Sequence, residues 1–241
     1  MRYFIELSYK GTNYHGWQIQ PDATSVQQIV NNALSIMLQK EISVVGAGRT
    51  DSGVHATQMF AHFDIHEKLI SNSTFKLNSI LPKDIVVDKI FLVDDEKHSR
   101  FDALSRSYEY KIFLGRNPFL LDFSWQIHSQ NFDISLMNQA AKLLLDYTDF
   151  ESFSKVKTEV YTFNCDITKA VWIQNKNELT FYISSNRFLR NMVRAIVGTL
   201  IEVGSGKKTV KDFKDIIECK NRSKAGLSVP AKGLFLTEIK Y

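Results

Sequence analysis

Residues 169–185 read KAVWIQNKNELTFYISS, and this stretch decides how the chain combines strands with helices. Two runs rich in β-branched and aromatic residues flank the polar residues 175–177. Such runs, separated by a short polar turn, predict a β-hairpin. A hairpin joins antiparallel neighbours, whereas parallel neighbours need a crossover connection of about a dozen or more residues. The stretch therefore favours an α+β fold over strict βαβ alternation.

The rest of the chain repeats this mixture of strands and helices. Alternating or continuous apolar residues predict further strands at 2–9, 42–47, 56–65, 84–93, 107–115 and 233–241. Helical spacing and capping residues predict helices after Ser25, after Asp133 and after Thr209, at 73–81 before Pro82, and at about 187–203 before Gly204. The sequence thus predicts a largely antiparallel central sheet flanked by helices, in two similar halves of about 1–105 and 106–241.

Two of the predicted helices carry a recognisable apolar face. In the helix after Ser25, with Gln28 as the capping-box partner, the residues at helical spacing are Ile29, Ala33, Ile36 and Met37. In the helix after Asp133 they are Met137, Ala141, Leu144 and Leu145. We expect these side chains to face the core.

The 241-residue chain is mildly basic, with a formal net charge of +4 and a pI of about 8.9. Its basic residues gather in the C-terminal part at 187, 190 and 194, at 207, 208, 211 and 214, and at 220, 222 and 224. Each group alone is typical of a solvated helix face. Taken together, they favour contact with the phosphates of a nucleic acid.

Several classes of protein are disfavoured by the composition. No window approaches the ~20 consecutive apolar residues of a membrane span, and the N-terminus lacks the layout of a signal peptide. We therefore expect a soluble, cytoplasmic protein without a membrane partner. Cys165 and Cys219 lie in no CxxC motif, and the histidines show no zinc-binding spacing. Reduced thiols and no metal site are the expectation.

The segment at 46–56, GAGRTDSGVHA, places Arg49 and Asp51 in a glycine-rich loop between two predicted strands. Catalytic groups commonly lie on loops that a rigid scaffold positions. An aspartate before Ser52 and Gly53 also fits an Asx turn, which needs no catalytic role. On this stretch alone both interpretations stay open.

The helix at about 187–203 contains one charged residue between Met192 and Ile201, namely Arg194. A cation among apolar side chains either pairs with an anion or reaches the surface along its own apolar stem. Gly198, one turn further on, leaves room for a close neighbour, so we favour the paired arrangement. Asp51 is a candidate partner, and the pair would keep its carboxylate ionised.

Residues 100–113, RFDALSRSYEYKIF, place Tyr108 and Tyr110 on one strand face together with Ile112. In one interpretation the tyrosines pack in the core. In the other, a ring stacks on a flat substrate while its hydroxyl places a proton.

Four motifs, GAGRTDSGVHA, RFDALSRSYEY, FLRNMVRAIVGTLIEVG and the terminal GLFL, resemble those of the tRNA pseudouridine synthase A family in order and spacing. The stretches GTNYHGWQIQP with SVQQ, LNSILPKDI and DFESF extend the resemblance over essentially the whole chain, 1–241. It implies one α+β catalytic region, usually a homodimer, with a cleft between its halves and no cofactor. The implied reaction is the isomerisation of uridine to pseudouridine at positions 38, 39 and 40 of the tRNA anticodon stem–loop, on a flipped nucleotide.

The resemblance also assigns roles to residues of this chain. Asp51 is the catalytic residue, and whether it attacks C1′ or removes a proton at C2′ stays open. The substrate-binding residues are Arg49, which holds the flipped nucleotide, Tyr108 against the base, Arg194 paired with Asp51, and Leu234 packed on the base. Many relatives have FxxHMVR where this chain has FLRNMVR, so Arg190 is an alternative partner for Asp51.

Two other functions would use some of the same features. A non-catalytic RNA-binding module needs the basic groups but no carboxylate beside Arg49. A hydrolase of N-glycosidic bonds needs a second catalytic carboxyl group. The motifs offer no obvious one, because Glu109 alternates away from Tyr108 and Glu202 is expected at the surface.

Overall fold

The computed structural model describes residues 1–128, 131–156 and 160–241. They form two compact units, the first comprising Met1–Leu104 with Phe235–Tyr241 and the second Ser105–Leu234. The strands in the described residues are β1 (Arg2–Tyr9), β2 (Val45–Gly46), β3 (His55–Asp64), β4 (Ile85–Val93), β5 (Ser105–Leu114), β6 (Trp125–Ile127), β7 (Ile167–Asn175), β8 (Glu178–Ser185) and β9 (Leu234–Lys240). The α-helices are α1 (Val26–Leu38), α2 (Ser73–Ile80), α3 (Ile134–Leu143), α4 (Met192–Gly204) and α5 (Val210–Glu218).

The first unit is built on a sheet with β1 at its centre. Strand β1 pairs antiparallel with β3 and β4, so that Leu7 lies opposite Met59 and Val87. Strand β2 also pairs antiparallel with β3, whereas β9 pairs with β3 in parallel, at His55 and Phe235. The side chains of Ile5, Leu7 and Met59 are fully buried. The strand predicted at 2–9 is therefore confirmed, with its apolar face in the core.

The second unit contains the hairpin predicted at 169–185. Strands β7 and β8 pair antiparallel, with Trp172 opposite Phe181, and β8 pairs antiparallel with β5, with Tyr110 opposite Phe181. Helix α3 lies against β7, where the Asn138 side chain accepts from the Trp172 N–H at 2.7 Å and donates to its carbonyl at 3.1 Å. Both units combine helices with mostly antiparallel pairs, so the predicted α+β class is confirmed.

Helix α1 begins as predicted but buries a different face. The Ser25 hydroxyl accepts a hydrogen bond from the Gln28 N–H at 3.3 Å. The buried residues are Val26, Val30, Ala33 and Leu34, whereas Ile36 is 64% exposed and Ile29 and Met37 are half-buried. The predicted core face is therefore wrong except at Ala33, because the apolar residues of α1 surround the helix and spacing alone did not select the buried stripe.

The later helices differ from their predictions mainly at the ends. Asp133 caps α3 as predicted, but Leu145 is 43% exposed because the chain passes into a 3₁₀ turn at Leu144–Asp146. Helix α4 begins at Met192 rather than near 187, since Asn191 before it has a left-handed φ of 65°. Helix α5 begins with the predicted Thr209 cap, in a capping box with Asp212.

Among the described residues, no helix combines the length and apolar character needed to cross a membrane.

Candidate active site

Asp51 lies on the loop that connects β2 to β3 in the first unit. A hydrogen bond from the Ala47 N–H to the Phe60 carbonyl, at 2.7 Å, fixes the start of the loop. The Val54 N–H donates to the Asp51 carbonyl at 3.1 Å and closes a turn in which Gly53 has a φ of +78°. Main-chain atoms close this turn, so it does not by itself require a carboxylate at position 51. Asp51 is half-buried, while Arg49 is exposed.

A second segment, residues 11–17, supports the Asp51 loop from the other side. The Trp17 N–H donates to the Thr50 carbonyl at 3.3 Å, and the Gly53 N–H donates to the Tyr14 carbonyl at 3.2 Å. A Cβ at Gly16 would overlap the carbonyl oxygen of Thr50, so only glycine permits this approach. We name residues 11–17 the support segment. The sequence motifs assign this segment no part in the site, although the family resemblance covers it through the stretch GTNYHGWQIQP.

The two tyrosines of β5 have different environments. Tyr110 is fully buried, and its hydroxyl donates to the Pro230 carbonyl at 2.9 Å. Burial raises the pKa of the Tyr110 hydroxyl above its ordinary value, so this phenol stays protonated. Tyr108 is half-buried, and its ring meets the Phe188 ring edge to face with centroids 5.1 Å apart. The core interpretation thus fits Tyr110, while Tyr108 keeps exposed surface.

Arg194 lies on α4 and is fixed by the residues near the end of the chain. Its Nε donates to the Val229 carbonyl at 2.7 Å, and the Val229 N–H donates to the Arg194 carbonyl at 3.3 Å. A Cβ at Gly198 would overlap the carbonyl oxygen of Leu227, so this glycine allows residues 226–230 to lie against α4. Arg190, in contrast, precedes α4 and is exposed.

Residues 226–230 are themselves held by a polar cluster. The Ser228 hydroxyl accepts hydrogen bonds from the Asn191 amide and, at 3.0 Å, from the Arg222 guanidinium. Arg222 also donates to the Gly226 carbonyl at 3.1 Å, and burial lowers the pKa of its guanidinium. Val229 therefore presents its carbonyl to Arg194 from a segment with little freedom.

Leu234 follows this segment and is 5% exposed. Gly233, before it, passes so close to β5 that an added Cβ would lie 2.7 Å from the Lys111 carbonyl oxygen and 2.9 Å from the Tyr110 ring. Within the second unit, then, the chain at 229–234 connects the elements that carry Tyr108 and Arg194 with Leu234. Arg49 and Asp51 share one loop of the first unit.

Some of the basic residues grouped in the C-terminal part form ion pairs. Four lysines lie within 4 Å of a carboxylate, in the pairs Lys208–Glu202, Lys211–Asp215, Lys214–Glu218 and Lys220–Asp149. Arg222 binds main-chain carbonyls and the Ser228 hydroxyl instead. These pairs favour the simpler interpretation of solvated helix faces for residues 207–224.

The cysteines, histidines and acidic residues are the remaining polar candidates. The described ranges contain no group of three or more histidine, cysteine or acidic residues able to hold a metal ion. Cys165 and Cys219 are both free thiols. Cys165 is buried, and this burial raises the pKa of its thiol to about 11.

Comparison with known proteins identifies the family of this chain. A family model described as tRNA pseudouridine synthase matches residues 7–102 and 140–241. The chain belongs to this family. A tRNA pseudouridine synthase A of Parabacteroides distasonis is 50% identical to it over 243 residues, which cover 100% of this chain and 96% of that protein. One of Bacteroides fragilis is 51% identical, with 100% and 96% covered, and one of Thermoanaerobacter sp. is 39% identical, with 98% of each covered.

The matched ranges of the pseudouridine synthase family include four of the five predicted site residues, Arg49, Asp51, Arg194 and Leu234. Tyr108 lies between the two ranges. Its assignment therefore rests on the RFDALSRSYEY motif and on its half-buried position in β5.

Proposed function

We propose that this protein converts uridine into pseudouridine at positions 38, 39 and 40 of the tRNA anticodon stem–loop, with Asp51 as the catalytic residue. Membership of the family makes the chain an isomerase that acts on tRNA. The observation that supports the finer assignment is the place of Asp51. It is a half-buried carboxylate on a loop that main-chain bonds fix on both sides, two residues from the exposed Arg49.

The reaction breaks the C1′–N1 bond, turns the uracil and joins C5 to C1′. The proton on C5 is lost and N1 gains one, so no atom is added overall and no cofactor is needed for the balance. Asp51 acts in its ionised form, either as the nucleophile at C1′ or as the base at C2′. In this proposal Arg194 pairs with Asp51 and stabilises that ionised form.

A base inside a stacked stem cannot reach a protein carboxylate, so the target nucleotide is flipped out at a cost of a few kcal/mol. Arg49, exposed on the same loop as Asp51, contacts the nucleic acid and holds the flipped state. Tyr108 supports the uracil and relays the C5 proton, and Leu234 forms an apolar wall that retains the detached base. Leu234 is 5% exposed, so this role requires the base to reach a small remaining surface.

The proposal also covers the place of the active site, the oligomeric state, the cellular location and the cofactors. The active site lies in a cleft between the two halves, the protein works as a homodimer in the cytoplasm, and it binds neither a metal nor another cofactor. The cleft, the homodimer and the lack of a cofactor come from the family resemblance. The cytoplasmic location and the lack of a metal come from the composition and from the spacing of the cysteines and histidines. A hydrodynamic mass near twice 27.7 kDa would support the dimer.

The Asp51→Asn substitution tests the catalytic assignment. Because asparagine keeps the size of the side chain but removes its charge, we expect pseudouridine formation to be lost while tRNA binding survives. Pseudouridine is measured by nuclease digestion and mass spectrometry of a transcribed tRNA, and binding by filter retention. Normal turnover by Asp51→Asn would disprove the assignment.

The wild-type protein in the same assay separates the other functions. Binding of tRNA without pseudouridine formation would indicate an RNA-binding module. Release of free uracil would indicate an N-glycosidic hydrolase.

A further inference from the structure

We propose that Tyr14 and Asp84 form a positioning pair, which sets the place of the Asp51 carboxylate through the support segment. The proposal rests on the catalytic role of Asp51 given above. Tyr14 and Asp84 lie in GTNYHGWQIQP and LNSILPKDI, two stretches that extend the family resemblance, but the resemblance gives neither residue a role. Both lie in the first unit, as does Asp51.

Tyr14 holds the turn immediately after Asp51. Its carbonyl accepts from the Gly53 N–H at 3.2 Å and from the Ser52 hydroxyl at 3.4 Å. Any displacement of the Tyr14 main chain therefore moves residues 52–53. Because the Val54 N–H bonds to the Asp51 carbonyl, the same displacement reaches Asp51.

The side chain of Tyr14 in turn fixes its main chain. Tyr14 is 6% exposed, and its hydroxyl donates to Asp84 Oδ1 at 2.6 Å. Hydrogen bonds to an ionised acceptor are shorter and roughly twice as strong as neutral ones. The other Asp84 oxygen accepts from the Asn13 amide at 3.2 Å, so one carboxylate holds two neighbouring residues of the support segment.

Asp84 is itself anchored to the sheet of the first unit. Its carbonyl accepts from the Lys10 N–H at 2.9 Å, at the end of β1, and the next residue, Ile85, begins β4 and pairs with Tyr9. The anchor thus belongs to the central sheet. Burial, followed by the Asp84 hydrogen bond, raises the pKa of Tyr14 well above its ordinary value, which keeps its hydroxyl a donor throughout the working pH range.

The support segment is closely packed, so a displacement of the Tyr14 main chain cannot be accommodated within the segment. Gly16 lies against the Thr50 carbonyl with no room for a Cβ, and Tyr9 and Thr50 share a hydroxyl–hydroxyl bond of 2.8 Å. A shift of about 1 Å at a catalytic group can cost on the order of a hundredfold in rate. We therefore expect the Tyr14–Asp84 bond to affect the chemical step more than tRNA binding.

The test compares Tyr14→Phe with the matched control Tyr3→Phe. The Tyr3 hydroxyl also takes part in one hydrogen bond in the first unit, accepting from the Leu69 N–H at 3.1 Å, outside the support segment. The measurements are the single-turnover rate at saturating enzyme, the Kd for tRNA and the thermal unfolding midpoint. We expect Tyr14→Phe to lower the rate about tenfold or more with an unchanged Kd, and Tyr3→Phe to keep the wild-type rate.

Two Asp84 variants test the pair itself. Asp84→Ala should lose at least as much rate as Tyr14→Phe, because it also removes the acceptor of the Asn13 amide. The double variant should lose no more than Asp84→Ala alone, because Tyr14 acts through its contact with Asp84. Asp84→Asn keeps an acceptor oxygen and should recover part of the rate. All rates are taken well below each unfolding midpoint, so that a loss of folded protein does not count as a loss of rate.

Equal rates for Tyr14→Phe and Tyr3→Phe would overturn the positioning pair, as would a loss of rate that follows the folded fraction. Failure of the proposed function would give a different result from failure of the positioning pair. In that case the wild-type protein itself forms no pseudouridine, or Asp51→Asn retains full activity.

Discussion

At the scale of single residues, a hydrogen bond to the main chain orients the Arg194 side chain. Its Nε donates to the Val229 carbonyl at 2.7 Å, which fixes the orientation of the guanidinium. Arg190 precedes α4 and is exposed. This difference favours Arg194 over Arg190 for the role proposed above.

The corresponding prediction compares Arg194→Met with Arg190→Met. Methionine keeps the apolar stem but removes the charge, so Arg194→Met should lower the single-turnover rate about a hundredfold or more, the usual cost of removing an oriented charge from an active site. Arg190→Met should stay within about threefold of wild type, as expected for an exposed side chain outside the active site. A fully active Arg194→Met, or a larger loss in Arg190→Met, would show that the pair is assigned to the wrong residue.

At this scale, the sequence predicts residues that lie together in one short motif but not contacts between distant segments. The loop at 46–56 and the two tyrosines belong to short motifs, and the structure separates Tyr108 from Tyr110 by burial and by their contacts. The Tyr14–Asp84 bond joins residues 70 positions apart, and neither residue is unusual in its own stretch. No periodicity or spacing could reveal that contact, because it exists only after β1 and β4 have paired.

At the scale of elements, helix starts with a capping side chain were more predictable than helix faces. The caps at Ser25, Asp133 and Thr209 are local hydrogen bonds and occur as predicted. The face of α1 is decided by what packs against it, and the stripe of Val26, Val30, Ala33 and Leu34 prevails over the equally apolar Ile29 and Ile36. The pairing of β7 with β8 was predictable, since a short turn leaves the antiparallel hairpin as the simple solution. The parallel pairing of β3 with β9 joins distant segments and has no such local signal.

The contact of α4 with residues 226–230 gives a prediction at this scale. Gly198→Ala should destabilise the protein by about 2 kcal/mol or more, because the added methyl group must displace the Leu227 carbonyl from a packed position. Chemical denaturation of the full chain measures the change. The control is Gly48→Ala, where an added Cβ meets no atom within 4 Å and stability should be unchanged. An equally stable Gly198→Ala would mean that residues 226–230 can move away from α4 freely.

At the scale of the whole molecule, the free energy of unfolding should depend on pH through a buried histidine of the first unit. His62 is 4% exposed on β3, and its Nδ1 lies 2.8 Å from the Ser99 hydroxyl. Its ring meets the His98 ring with centroids 4.6 Å apart, and Arg2 and Asp64 lie nearby. Burial, followed by the positive charge of Arg2, lowers the pKa of His62 from 6.5 to about 4.

A base whose pKa falls on folding binds more protons when unfolded, so it destabilises the fold as the pH drops. The contribution of His62 is complete above pH 6.5 and is lost progressively between pH 6.5 and about 4, amounting to at most ~3 kcal/mol. Urea denaturation at pH 7 and pH 5 should therefore show a smaller pH dependence for His62→Gln than for the wild-type protein. The imidazole proton resonances of His62 should titrate with a midpoint near 4. A midpoint near 6.5 would show that the ring is solvated in the folded chain, and the stability of the first unit would then not depend on keeping it neutral.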